Sequence, residues 1–154
     1  MSFKTQAHQL MSEIGPLLDL VGVVESDDGQ AWLLIVDDED ALSVELDDAR
    51  GCLVIAAEVG TPGEAGRAQL YELLLAYNAL WDVSGGIRMA LDEPGGGVLQ
   101  LLDLPAEGLD PSQLADVLAR FLEIRLGWMQ VVSAIGDGAA PGEVEEMVSS
   151  AIRA

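Results

Sequence analysis

A chain of 154 residues with 27 acidic and only 7 basic side chains carries a net charge of −20 and a pI near 4.1. That field repels phosphate backbones and anionic lipid, which argues against nucleic acid or a membrane surface as partner. Half of the residues are hydrophobic, which excludes disorder of the whole chain, and the length fits one domain able to bury a real core.

Phe3, Ala7, Leu10, Met11, Ile14 and Leu18 recur at helical spacing and predict an amphipathic opening helix, which Gly15-Pro16 ends or kinks. No basic stretch followed by an apolar run precedes it, so no secretory signal is expected, and no apolar stretch approaches the roughly 20 residues of a membrane span. Cys52 is the only cysteine. It reads as a small buried hydrophobe within CLVIAA, no intramolecular disulfide can form, and a cytoplasmic location is expected.

Three runs rich in β-formers follow, Ala31 to Asp37, Leu42 to Asp47 and Cys52 to Glu58. The acidic clusters between them are short enough for hairpin turns, so the segment predicts an antiparallel meander. In the second run Leu42, Val44 and Leu46 alternate with Ser43, Glu45 and Asp47, which marks one buried and one wet face. The first run has Ala31, Leu33 and Ile35 on one face and Trp32, Leu34 and Val36 on the other, and Cys52 to Ala57 is likewise apolar on both sides. Such strands need a second cover, either the first helix or the C-terminal tail, or else a partner.

Thr61-Pro62-Gly63-Glu64 carries a helix-start pattern of N-cap, first-turn proline and capping-box glutamate. In the helix that follows, Leu70, Leu73, Leu74, Tyr77 and Trp81 form one stripe, while Tyr71, Leu75 and Asn78 fall on another side. A helix apolar on two sides must be covered twice. The second cover is expected from another copy, which makes Tyr71, Leu75 and Asn78 the candidate interface of a homodimer. Ser84-Gly85-Gly86 ends this helix, and Ile87 to Leu91 with Val98 to Leu104 read as a hairpin. Asp110-Pro111-Ser112-Gln113 repeats the capping pattern before a helix striped by Leu114, Val117, Leu118, Phe121, Ile124, Trp128, Val131 and Ile135. The order is α-β-β-β-α-β-β-α, an α+β fold with an antiparallel sheet over residues 1–135. Residues 136–154 read as a linker and a short terminal helix over Val144 to Ile152.

Chemistry is sparse. His8 is the only histidine and sits in the first helix, so no catalytic residue is assigned. One His and one Cys cannot supply the usual zinc ligand sets, and the acidic clusters lack the spacing of a calcium-binding loop. Gly60, Gly63 and Gly66 precede a helix without the lysine of a phosphate loop. No metal and no cofactor are therefore expected.

Several local patterns resemble one family, the class I type III secretion chaperones or Tir chaperone family. WLLIVDD (Trp32 to Asp38) is similar to its first strand and acidic turn, and LYELLLAYNAL (Leu70 to Leu80) to its central helix with an Asn near the end. LLDLPAEGLDPSQLADVLARFLEIRLGWMQ (Leu101 to Gln130) is similar to its last strand, Leu-Pro linker and final helix. The likeness runs from about Leu10 to Val132. It implies a homodimer built on the central helix, no enzymatic activity, and a cytoplasmic partner in a Gram-negative bacterium. That partner is the N-terminal chaperone-binding segment of a secreted effector, held extended across the dimer. An extended segment can add a strand to a sheet edge and drop alternate side chains into apolar pockets. Trp32, Leu34, Val54 and Ala56 are the candidate receiving residues, flanked by Phe3 and Leu10. The alternative is a dimeric α+β adaptor or structural domain without a client, which needs the two-faced helix but not the doubly apolar first strand.

Overall fold

The computed structural model describes residues 2–153. Ten of its elements frame the candidate surfaces: helices α1 (Phe3–Leu18), α2 (Arg67–Asn78), α4 (Pro111–Gly136) and α5 (Pro141–Arg153), and strands β1 (Gly22–Glu25), β2 (Ala31–Ile35), β3 (Ala41–Asp47), β4 (Cys52–Gly60), β5 (Arg88–Leu91) and β6 (Val98–Pro105). A one-turn helix α3 (Trp81–Ser84) follows α2. The strands form one sheet in the order β1-β2-β3-β4-β6-β5, and β1/β2, β2/β3, β3/β4 and β5/β6 are antiparallel pairs. The chain divides into two compact units, Met1–Ala57 with Leu102–Ala119, and Glu58–Leu101 with Arg120–Ala154.

In the first unit, Ser2 caps α1 by accepting from the Thr5 amide at 3.2 Å. Pro16 does not break the helix. It lies so near the end that one further turn closes at Asp19, left-handed at φ 55°, whose amide reaches the Gly15 carbonyl. β1 adds a strand to the predicted meander. It is only four residues long, with Val23 and Val24 as its sole β-formers, too short to register as a period. Asp28 builds the turn into β2 by accepting from the Ser26 hydroxyl at 2.7 Å and the Gln30 amide at 2.9 Å. These two donors hold its carboxyl below the usual carboxylate range. The next two acidic clusters are turns as well, with Asp37 accepting from the Glu39 amide at 2.9 Å and Asp47 from the Arg50 amide at 3.1 Å. Arg50 also bridges Asp47 at 2.6 Å and Asp103 of β6 at 2.8 Å.

In the second unit, α2 starts at Arg67, later than the capping pattern at Thr61 predicts. Thr61 instead turns its hydroxyl to Glu58 Oε1 at 3.4 Å, and Gly66 precedes the helix at φ 76° with no side-chain cap. A Cβ at Gly66 would collide with Ile135 Cγ2 of α4, so both the conformation and the close approach require glycine. The predicted helix through Ser84 is broken at Ala79-Leu80. The break takes Trp81 off the buried stripe and leaves it 69% exposed, while Leu70, Leu74 and Tyr77 stay inside. Tyr77 meets Trp128 edge-on with ring centroids 5.0 Å apart.

The capping box at Asp110 forms as predicted. The Gln113 amide donates to Asp110 Oδ1 at 2.8 Å, and the Asp110 amide to Gln113 Oε1 at 3.0 Å. Along α4 every residue of the predicted stripe is buried except the half-buried Val117. The tail forms α5, longer than predicted, with Val144 and Ala151 buried. Ala151 packs on Gly127, where a Cβ would lie 3.0 Å from its own.

Candidate functional site

Two surfaces combine exposed apolar groups with a defined geometry. The first lies on the open face of the β1–β4 part of the sheet. In an antiparallel sheet, directly opposed residues share a face. The register Val24↔Leu33, Leu33↔Ser43 and Ser43↔Ala56 therefore makes one row, and Ala31↔Glu45↔Val54 a parallel one. The opposite face carries Glu25↔Trp32↔Val44↔Ile55 and Val23↔Leu34↔Leu42.

α1 covers that opposite face. Its His8 ring meets Trp32 edge-on at 5.3 Å, and His8 Nδ1 lies 2.7 Å from Glu25 Oε1, which also accepts from Trp32 Nε1 at 3.0 Å. Trp32, Leu34, Leu42, Val44, Leu53 and Ile55 are buried with Ala7, Leu10, Met11 and Ile14. The candidate receiving set thus divides. Trp32, Leu34 and Leu10 lie in the core, Phe3 is half-buried, and only Val54 and Ala56 lie half-exposed on the open face. Cys52, expected in the core, is half-buried on the same open side, opposite Asp47.

Sequence reasoning missed Val24, 53% exposed, and Leu33, 44% exposed, which head the open row. The signal was present in β3, since Ser43 and Glu45 mark the wet face. Only the register says that Leu33 rather than Trp32 stands opposite Ser43. Leu17 and Val21, just before β1, are exposed as well. β1 ends the sheet, so its outer backbone has no strand neighbour among the described residues.

The second surface is a groove of about 200 Å³ between α2 and β5, lined by Tyr71, Leu74, Leu75, Asn78, Met89, Ala90 and Leu91. It brings together all three residues expected at a dimer interface. Leu75 is 70% exposed, and the Tyr71 hydroxyl is buried without a hydrogen-bond partner among the described residues. Asn78 has an intramolecular task instead. Its Oδ1 accepts from the Met89 amide at 2.8 Å, and its Nδ2 donates to the Met89 carbonyl at 3.0 Å. This paired bond imitates a strand neighbour and locks β5 to the end of α2, fixing the groove.

Among the described residues, no group of three or more His, Cys, Asp or Glu side chains gathers as metal ligands, and no helix is long and apolar enough to cross a membrane.

Comparison with known proteins places this geometry. The model of the Tir chaperone protein (CesT) family matches residues 9–129. A chain of the ExsC-ExsE complex superposes with a TM-score of 0.70 at 20% identity, covering 86% of this chain and 97% of that one. A chain of the HopA1-SchA chaperone-effector complex gives 0.67 at 24% identity, with 82% and 95% covered. The Yersinia pestis type III secretion chaperone SycH in complex with a fragment of YscM2 gives 0.59 at 24%, with 77% and 95% covered. At these identities the structural likeness is one of fold. No curated protein matches the chain.

The Asn78 clamp carries a direct test. Asn78→Ala leaves an amide and a carbonyl of β5 without partners and should cost about 2 kcal/mol in urea denaturation. Asn78→Asp keeps an acceptor for the Met89 amide but sets a carboxylate oxygen against the Met89 carbonyl, so it should not restore the clamp. Equal stability of wild type and Asn78→Ala would contradict the clamp.

Proposed function

The chain belongs to the Tir chaperone protein (CesT) family, and from that premise we propose that it is a cytoplasmic chaperone that holds the extended N-terminal segment of a type III secreted effector in a secretion-competent state. The observation that carries the reading is the half-exposed row Val24-Leu33-Ser43-Ala56 beside the unpaired edge of β1. An extended client laid along β1 gains main-chain hydrogen bonds from the edge. Every second side chain then falls on the open side beside Val24 and Leu33. Ordering a disordered segment costs conformational entropy, and the apolar row is what offsets that cost. A neighbour described as a chaperone-effector complex, and another as a type III secretion chaperone in complex with a fragment of YscM2, are consistent with a client of this kind. The reading involves binding alone, with no catalytic step, metal or cofactor.

We further propose that the working form is a symmetric homodimer closed through the α2/β5 groove. A two-fold axis brings the same patch of each copy together, so Leu75, Leu91 and Tyr71 would be covered by their own equivalents. The groove suits that role because its floor is apolar and Asn78 already holds its two walls in place.

The two surfaces give separable outcomes. Leu33→Asp adds a charge at an exposed position and should weaken capture of the effector client by tenfold or more, about 1.4 kcal/mol, with helix content unchanged. Trp32→Ala should instead lower stability by roughly 3 kcal/mol, since it empties a core position. Tight client capture by Leu33→Asp would place the site elsewhere. Leu75→Asp puts like charges face to face across a two-fold axis and should yield monomers in sedimentation velocity at micromolar concentration. A wild type that already sediments as a monomer would refute the dimer.

A further inference from the structure

The tail beyond the family match, packed on the end of α4, forms the second wall of another groove. On α4, Glu123, Leu126, Gly127 and Gln130 stand at positions i, i+3, i+4 and i+7, which is one stripe of a helix. On α5, Glu143, Glu146, Met147 and Ser150 repeat the same spacing, with Ala151 one position on. The two stripes face each other across about 570 Å³. Their separation is fixed by the packing of Ala151 on Gly127, so the walls belong to the fold. α5 is the more strongly two-sided helix: Val144 and Ala151 turn inward and its glutamates outward. The floor is apolar, with Leu126 56% exposed and Met147 half-buried. The rim carries three carboxylates and no basic side chain lines it.

Five of the seven basic side chains donate to groups other than the rim glutamates. Lys4 donates to the Asp28 carbonyl, Arg50 to Asp47 and Asp103, Arg120 to the Val83 carbonyl, Arg125 to the Glu58 carbonyl and Arg153 to the Ser149 carbonyl. None of the three rim glutamates is ion-paired among the described residues. A second copy is a poor occupant, because bringing two chains of net charge −20 together at an acidic rim is repulsive.

We propose that the α4/α5 groove is a docking site for a cationic amphipathic helix of a partner protein, separate from the client surface on the sheet. Apolar side chains at i and i+4 of that helix would rest on Leu126 and Met147. Its flanking lysines or arginines would meet Glu123, Glu143 and Glu146.

The test uses the full chain and two fluorescein-labelled peptides of about 14 residues with identical composition. One segregates leucines at i, i+4 from lysines, and the other has the same residues scrambled. Fluorescence anisotropy should give at least about tenfold tighter binding for the amphipathic peptide. Leu126→Gln and the double variant Glu143→Gln, Glu146→Gln should each weaken it severalfold, while Leu33→Asp leaves it unchanged. These positions are on the surface, and circular dichroism checks that the variants fold. Equal binding of both peptides would mean only attraction to a highly charged chain and would overturn the proposal. So would full binding by Leu126→Gln, absence of binding, or groove-dependent self-association in sedimentation. Loss of peptide binding in Leu33→Asp would move the peptide to the sheet and overturn a separate site.

Discussion

Side chains alternate across β2, and which parity lies beneath α1 decides the rest of the first unit. Trp32 and Leu34 face α1; Leu33 and Ile35 face away. Opposite parity would bury Leu33 and Ile35 instead, each also worth roughly 1.5–3 kcal/mol, so the decision comes from β3, where Leu42 and Val44 share the Trp32 face while Ser43 and Glu45 share the other. The hydrogen bond from Trp32 to Glu25, and the pairing of the same carboxylate with His8, satisfy the polar atoms that this choice would otherwise strand. A one-residue slip would put Ser43 and Glu45 in the core. The open face is thus a consequence of core packing, and its apolar content at Val24 and Leu33 is surplus to the fold.

That surplus is kept away from aggregation by charge. Acidic residues crowd the turns between strands, where they also build those turns through their own carboxylates, as Asp28, Asp37 and Asp47 do. One set of residues therefore shapes the hairpins and gives the molecule a field that repels its copies wherever no specific interface exists. A homodimer through α2 and β5 must gather enough apolar area to overcome that repulsion. The groove's composition, with Asn78 spending its polarity inside its own chain, serves that requirement.

Much of the architecture was legible in the sequence because it rests on period and caps. The α4 stripe, the Asp110-Gln113 box and the acidic hairpin turns all express local rules. What was hidden depends on contacts distant in sequence. Pro16 is tolerated because the helix ends one turn later, and Gly66 replaces the Thr61 cap because Ile135 of α4 presses against it. β1 is too short to show a period, yet it supplies the edge and the head of the open row. The candidate receiving residues divide between two faces for one reason. Alternation told that two faces existed, but only the β2/β3 register tells which of them α1 takes.

The central claim is that a client segment lies along the β1 edge and the open row beside it. Amide hydrogen exchange of the full chain, with and without the effector's N-terminal segment, reads this directly, because edge and short-strand amides exchange fast unless paired. The account predicts new protection concentrated in residues 22–25 and 31–35 on client binding, with α1 amides already slow and little changed. Protection confined to α2 and β5, or to α4 and α5, with β1 unaltered, would contradict it.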